Sequence, residues 1–259
     1  VTEDDGVTGP HARRDDLDAW YADLLERGRA VHPGLDIGRP VRSKGWKPIQ
    51  LLLRSVRLRV AIDLQGHEHI KPGAAIFASN HQGTLDPIVQ TCKVGWRVFA
   101  FTKAEWYEGK AALVFRWWGQ VPLRRGDNDS TEWALEMASF ALASGDMMGL
   151  YPEATRGPDP TKLYKLHQRV LVPVIQANPD VPVHASAVTY PPGGRLRRRA
   201  RVRYSEPLPI DARTMSAEEI TAIVRDAILE LGGLEYVDVP AFVAKARAQR
   251  EARGDGAAS

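Results

Sequence analysis

Residues 74–87 read AAIFASNHQGTLDP. The apolar run Ala74–Ser79 is short and uninterrupted, as in a strand buried on both faces. It stops at Asn80-His81, and α/β folds place their chemistry at strand ends. His81 and Asp86 are five residues apart, about 140° apart on a regular helix. They can meet only across a turn, which Gly83 permits. Pro87 suits the first position of a helix, with Asp86 at its N-cap. In that arrangement Asp86 holds one imidazole nitrogen and the other takes a proton from a hydroxyl. The plainer reading makes Asp86 a helix cap and His81 a loop histidine.

The pattern alternates on both sides of this stretch. Val98–Thr102, Val121–Leu123, Met147–Tyr151 and Val183–Thr189 read as strands. Asp129–Ser144 reads as a helix, with Trp133, Met137, Phe140 and Ala141 at helical spacing and Gly145 to close it. Lys165–Ala177 is a further helix. Ser216 and Glu219 form a capping box ahead of Ile220, Ile223, Val224, Ala227 and Leu231. Ala241–Arg253 reads as a charged, partly exposed helix. Strands and helices in this order mean an α/β fold, with a mixed, largely parallel sheet flanked by helices and an N-terminal helical extension.

The division along the chain is a leader and helical extension over 1–59, a catalytic domain over 60–235, and a helical tail over 236–259. Residues 1–16 read as disordered, followed by a helix over Asp18–Ala30. Residues 43–59, SKGWKPIQLLLRSVRLR, place Trp46, Ile49, Leu52, Leu53 and Val56 at helical spacing among Lys44, Lys47, Arg54, Arg57 and Arg59. This is either an interfacial membrane helix or a helix packed on the core with a solvated basic face. The run Val114–Trp118 belongs either to the core or to an acyl tunnel or interface. Between Arg195 and Arg203 every second residue is arginine, with Leu196, Ala200, Val202 and Tyr204 of opposite parity. That is a strand with one arginine face: an edge or outer strand kept soluble by charge, or a patch for anionic head groups or an acidic carrier protein.

Composition bounds the function. The 259 residues are 44% hydrophobic and 26% charged, with a net charge of +3. The pI near 9.0 fits phosphate-bearing or membrane-surface partners, but the charge is too small to argue for nucleic acid. Cys92 is the one cysteine, so no internal disulfide forms and a reducing compartment is expected. No apolar run reaches the roughly 18 residues that span a bilayer, and Val1–Asp16, acidic and polar, hold no apolar stretch like that of a secretory signal. The expectation is a cytoplasmic protein able to sit peripherally on the inner membrane face. His67 and His69 would share one strand face, yet two histidines without a third ligand make a weak zinc signal. No metal or other cofactor is expected.

Three later segments join His81 and Asp86. Gly119–Arg125 is a strand ending in two arginines. Leu150–Gly157 breaks at Pro152 and leads into a loop with Glu153, Thr155 and Arg156. Val181-Pro182-Val183 opens a strand. In this order the four blocks resemble those of the glycerolipid acyltransferases, the 1-acylglycerol-3-phosphate acyltransferase family. These are Asn-His-x4-Asp, a Gly-x-Ile-x-Ile-x-Arg type, Phe-Pro-Glu-Gly-Thr-Arg and a Val-Pro-Val type. The likeness covers about residues 60–205. It implies transfer of a fatty acyl group from acyl-CoA or acyl-carrier protein to the hydroxyl of a lysophospholipid. His81 is then the general base and Asp86 its partner. Arg125, Glu153, Thr155 and Arg156 bind the substrate, the arginines on its phosphate, and the block around Pro182 shapes the acyl-donor side. No acyl-enzyme is implied, consistent with the lack of a Gly-x-Ser-x-Gly elbow.

The departures are Ala154 in place of glycine, Tyr151 in place of phenylalanine, and Ala185 in place of the fourth block's second proline. A methyl at a tight turn bears on the acceptor, so the same chemistry on a specialised metabolite or amino lipid is the alternative. A membrane-binding relative without activity is a further one, and the intact His81/Asp86 pair argues against it.

Overall fold

The computed structural model describes residues 14–37, 46–91, 96–109, 112–192 and 197–253. The leader up to residue 13, Lys44, Cys92 and Arg195 lie outside the described residues.

The centre is β2 (Ala75–Ser79), buried along its whole length. It lies between β7 (Val183–Thr189) and β5 (Met147–Leu150), parallel to both. β3 (Val98–Lys103) and β4 (Val121–Leu123) extend the parallel set on the β5 side. On the other side β8 (Arg198–Pro207) pairs antiparallel with β7, and β1 (Val60–Gln65) pairs parallel with β8. The sheet order is β1-β8-β7-β2-β5-β3-β4. The fold is therefore α/β, with a mixed, largely parallel sheet.

Alternation along β2 sends side chains into two layers. Ile76 and Ala78 enter the main core, with Trp133, Met137 and Phe140 of α5 (Asn128–Ala143), Leu171 of α6 (Gln168–Ala177) and Ile220 of α7 (Ala217–Gly232). Phe77 enters a second cluster with Val89, Val188, Val202 and Tyr204. α1 (Arg14–Val31) starts four residues before the predicted helix and takes up the end of the predicted leader. It is built into the core: Leu24 is fully buried, Tyr21 stacks on Phe140, and Trp133 Nε1 donates to the Leu24 carbonyl at 2.8 Å. The capping box of α7 forms in full, with Gly233 left-handed (φ 59°) at its end.

Three local readings need correction. The arginine-faced strand is not an edge, because β1 pairs along it. Arg201 is ion-paired there with Asp63 at 3.2 Å, and Arg203 donates to the Leu231 carbonyl of α7 at 2.9 Å. The predicted helix at 165 begins only at Gln168. The residues before it form β6 (Lys162–Tyr164), which pairs with β9 (Glu235–Val237) in a separate ribbon. His67 and His69 lie in one 3-10 turn instead of a strand. α8 (Ala241–Arg253) ends the described chain.

Candidate active site

The site forms where β2 ends. Asn80 is fully buried, and its side chain replaces the missing ladder bonds. Nδ2 donates to the Val188 carbonyl at 2.9 Å and Oδ1 accepts from the Val188 amide at 2.8 Å. This clamp fixes the backbone one residue before His81. The His81 amide then donates to Glu153 Oε2 at 2.7 Å.

His81 Nδ1 lies 2.8 Å from Asp86 Oδ2. Oδ2 also accepts from the amides of Gln82 (2.7 Å) and Gly83 (2.8 Å), and Oδ1 accepts from the Tyr190 hydroxyl at 2.7 Å. Asp86 is fully buried. Four donors around one carboxylate compensate its loss of water. It begins α3 (Asp86–Thr91) but does not cap it: its oxygens turn back to the loop, and the Leu85 carbonyl takes the first helical amides. The expected N-cap at Asp86 is thus corrected, because three short bonds inside the turn outcompete one to the helix.

A carboxylate at Nδ1 requires the proton on that nitrogen, which leaves a lone pair on Nε2. The His81 side chain is 22% exposed, so the ring reaches solvent from a fixed position. Tyr151 backs it at a centroid distance of 4.6 Å. The Tyr151 hydroxyl donates to Gln90 Oε1 at 2.8 Å, and Gln90 Nε2 donates to Ser79 and Ser186. Burial raises the Tyr151 phenol well above its ordinary range. Beneath α3 lies a narrow apolar crevice of about 10 Å³, lined by Phe77, Pro87, Val98, Ala100 and Tyr151 among others.

The other expected site residues separate into three groups. Arg125, Thr155 and Arg156 are near one another: Arg125 donates to the Ala154 carbonyl, joining the end of β4 to the Pro152–Gly157 loop. Arg125 and Arg156 are exposed and Thr155 is half-buried. Glu153 turns inward. It is 2% exposed, and both oxygens accept from backbone amides, His81 on one side and Tyr164 (3.0 Å) on the other. Burial pushes its carboxyl up to about 7. Pro182 lies at the wrong end of the sheet. Its carbonyl accepts from Ile76 at the start of β2, while Ser79 is level with Ser186. At about 3.3 Å per residue, that puts Pro182 roughly 13 Å or more from the His81 edge. A Val-Pro-Val block opens its strand, and parallel strands deliver only their far ends to the site.

Tyr190 is the functional residue that sequence reasoning missed. It follows β7 at the same sheet edge as His81, and that position was the available signal. Ala154 takes a left-handed backbone (φ 58°), the conformation that favours the glycine it replaces.

A buried carboxylate, an oriented imidazole and flanking arginines at the carboxyl edge of this sheet define an α/β acyltransferase domain. The model of the Acyltransferase family matches residues 61–189, and the chain belongs to that family. Its fold is similar to that of the 1-acyl-sn-glycerophosphate acyltransferase PlsC from Thermotoga maritima. The TM-score is 0.54 at 22% identity, over 72% of this chain and 79% of that one. No curated protein sequence matches the chain.

Proposed function

We propose that the protein transfers a fatty acyl group from acyl-CoA or acyl-carrier protein to the hydroxyl of a lysophospholipid such as 1-acyl-sn-glycerol 3-phosphate. The carrying observation is the His81–Asp86 bond at 2.8 Å with the imidazole still open to solvent. Nε2 takes the hydroxyl proton as the oxygen attacks the thioester carbon. The carbon–sulfur bond then breaks, and the imidazolium returns its proton to the departing thiolate. Asp86 steadies the imidazolium between these steps. Arg125 and Arg156 receive the acceptor's phosphate, with Thr155 beside them. Arginine suits this role through its paired donors.

A second acceptor class, a specialised metabolite or amino lipid, is favoured by one observation: the Ala154 methyl stands in the loop that carries Arg156. Mass spectrometry of products from acyl thioesters and matched acceptors with and without phosphate tests both readings. Ester formed only on phosphate-bearing acceptors supports the first, and equal use of both supports the second. No ester from any thioester overturns the acyltransferase reading.

A further inference from the structure

α2 (Trp46–Ser55) and α4 (Ala112–Trp118) meet α3 through Leu53, Ile88, Val114 and Trp118. The loop that follows β5 is held from elsewhere. The Pro152 carbonyl accepts from the His167 amide at 2.8 Å. Glu153 accepts from the amides of His81 and Tyr164. The Ala154 carbonyl accepts from Arg125. Gly157 lies so close to the Tyr164 ring that a Cβ there would overlap it. Thr155 and Arg156 stand between these anchors. Tyr164 and His167, which supply most of them, are held in turn by the last part of the described chain. Tyr164 is level with Val237 in the β6–β9 ribbon. The ribbon is closed at both ends, by the Glu235 amide on the Thr161 carbonyl (3.1 Å) and the Lys165 amide on the Val239 carbonyl (3.2 Å). Lys165 Nζ meets Asp238 at 3.1 Å. Phe242 of α8 stacks on the His167 ring, with centroids 6.2 Å and planes 19° apart.

Ala154 gives these contacts something to do. With φ 58° it is the one non-glycine residue of positive φ among the described residues. Left to itself, an alanine is disfavoured in that region by roughly five- to thirty-fold. Glycine enters it about as readily as the right-handed region. The loop therefore keeps its shape through its anchors, where a glycine at 154 would supply the turn by itself.

We propose that residues 235–242 brace the loop after β5, and that Tyr164, His167 and Phe242 are positioning residues which hold Ala154 left-handed and so set Arg156 for an anionic acceptor. The kinetic part of the proposal rests on the acyl-transfer reading, and the conformational part does not.

The test uses the full chain as wild type, Val237→Pro and Phe242→Ala, each with and without Ala154→Gly. The proline removes an amide from the ribbon and fixes its φ. Phe242→Ala opens the stack on His167 without touching the backbone, and carries the test if the proline variant fails to fold. The first arm needs no acyl transfer. Brief native trypsin digestion, read by mass spectrometry, compares cleavage after Arg156 with cleavage after Arg29 in α1, which reports global opening. Cleavage after Arg156 should be about five-fold faster or more in both brace variants, and cleavage after Arg29 should not change. The second arm compares 1-acyl-sn-glycerol 3-phosphate with an acceptor that lacks phosphate. Both brace variants should raise KM for the phosphate-bearing acceptor about ten-fold, and leave KM for the other unchanged. With Ala154→Gly added, the rise should shrink to about two-fold, because glycine holds the turn unaided. A merely structural loss would affect both acceptors alike and ignore residue 154. Equal cleavage after Arg156 in wild type and both variants overturns the brace. So does an unchanged KM, or a rise of the same size on both acceptors or in both backgrounds at 154. Absence of transfer by wild type, with faster Arg156 cleavage in the variants, sinks the acyl-transfer reading alone.

Discussion

Tyr190 Oη donates to Asp86 Oδ1 at 2.7 Å, on the opposite side of the carboxylate from His81. The imidazole, the carboxylate and the phenol form a line, with 104 residues of sequence separating Asp86 from Tyr190. Burial, then Asp86, raises the phenol far above its ordinary range, so it keeps the proton it donates.

Removing that donor tests the line. Tyr190→Phe loses one hydrogen bond to a charged group, worth about 1.5–3 kcal/mol, and about ten-fold or more in kcat is expected. A folded Tyr190→Phe variant with unchanged kcat would reduce Tyr190 to packing.

Glu153 predicts a stability effect of definite sign. Its carboxyl sits near 7 instead of 4.5. Between those values the unfolded chain gives up the proton and the folded chain keeps it, so the folded state loses stability as pH rises. The loss is absent below about 4.5 and complete above about 7, at roughly 3 kcal/mol. Glu153→Gln removes this dependence, while its lost acceptor costs the same at every pH. Urea unfolding at pH 4.5 and 7.5 should therefore show the variant gaining on wild type by that order. A constant difference contradicts the assignment.

Arg156 predicts a binding effect without a chemical one. Arg156→Ala should raise KM for a phosphate-bearing acceptor about ten-fold or more and leave kcat within two-fold. It should not change KM for an acceptor lacking phosphate. Equal losses on both acceptors would remove Arg156 from phosphate recognition.

α1 belongs to the core energetically. Leu24→Ala should destabilise the whole protein by about 2–5 kcal/mol in a single transition. A separate early transition would mark α1 as an independent extension.

The fold was legible because its strands are short apolar runs between turn residues, and β2, β4 and β7 stand where the pattern put them. β9 escaped notice because its three residues, Glu235–Val237, carry no period of their own and are strand only through β6. The His81–Asp86 pair was legible because five-residue spacing with Gly83 leaves a turn as the way to join them. The family likeness put Glu153 on substrate, and nothing local reveals that two backbone amides from distant segments bury it. Pro182 lies far from His81 because its block opens β7, at the terminus opposite the His81 edge. Tyr190 was overlooked because its partner is 104 residues away, and its place just after β7 was the one sign of it.

The central claim, that His81 Nε2 takes the acceptor's proton, is tested most directly by the rate of ester formation in His81→Ala. Wild type should release one thiol for each ester formed. The variant, with its unfolding midpoint unchanged, should be slower by about 10²–10⁴. Wild-type turnover by folded His81→Ala would contradict the account.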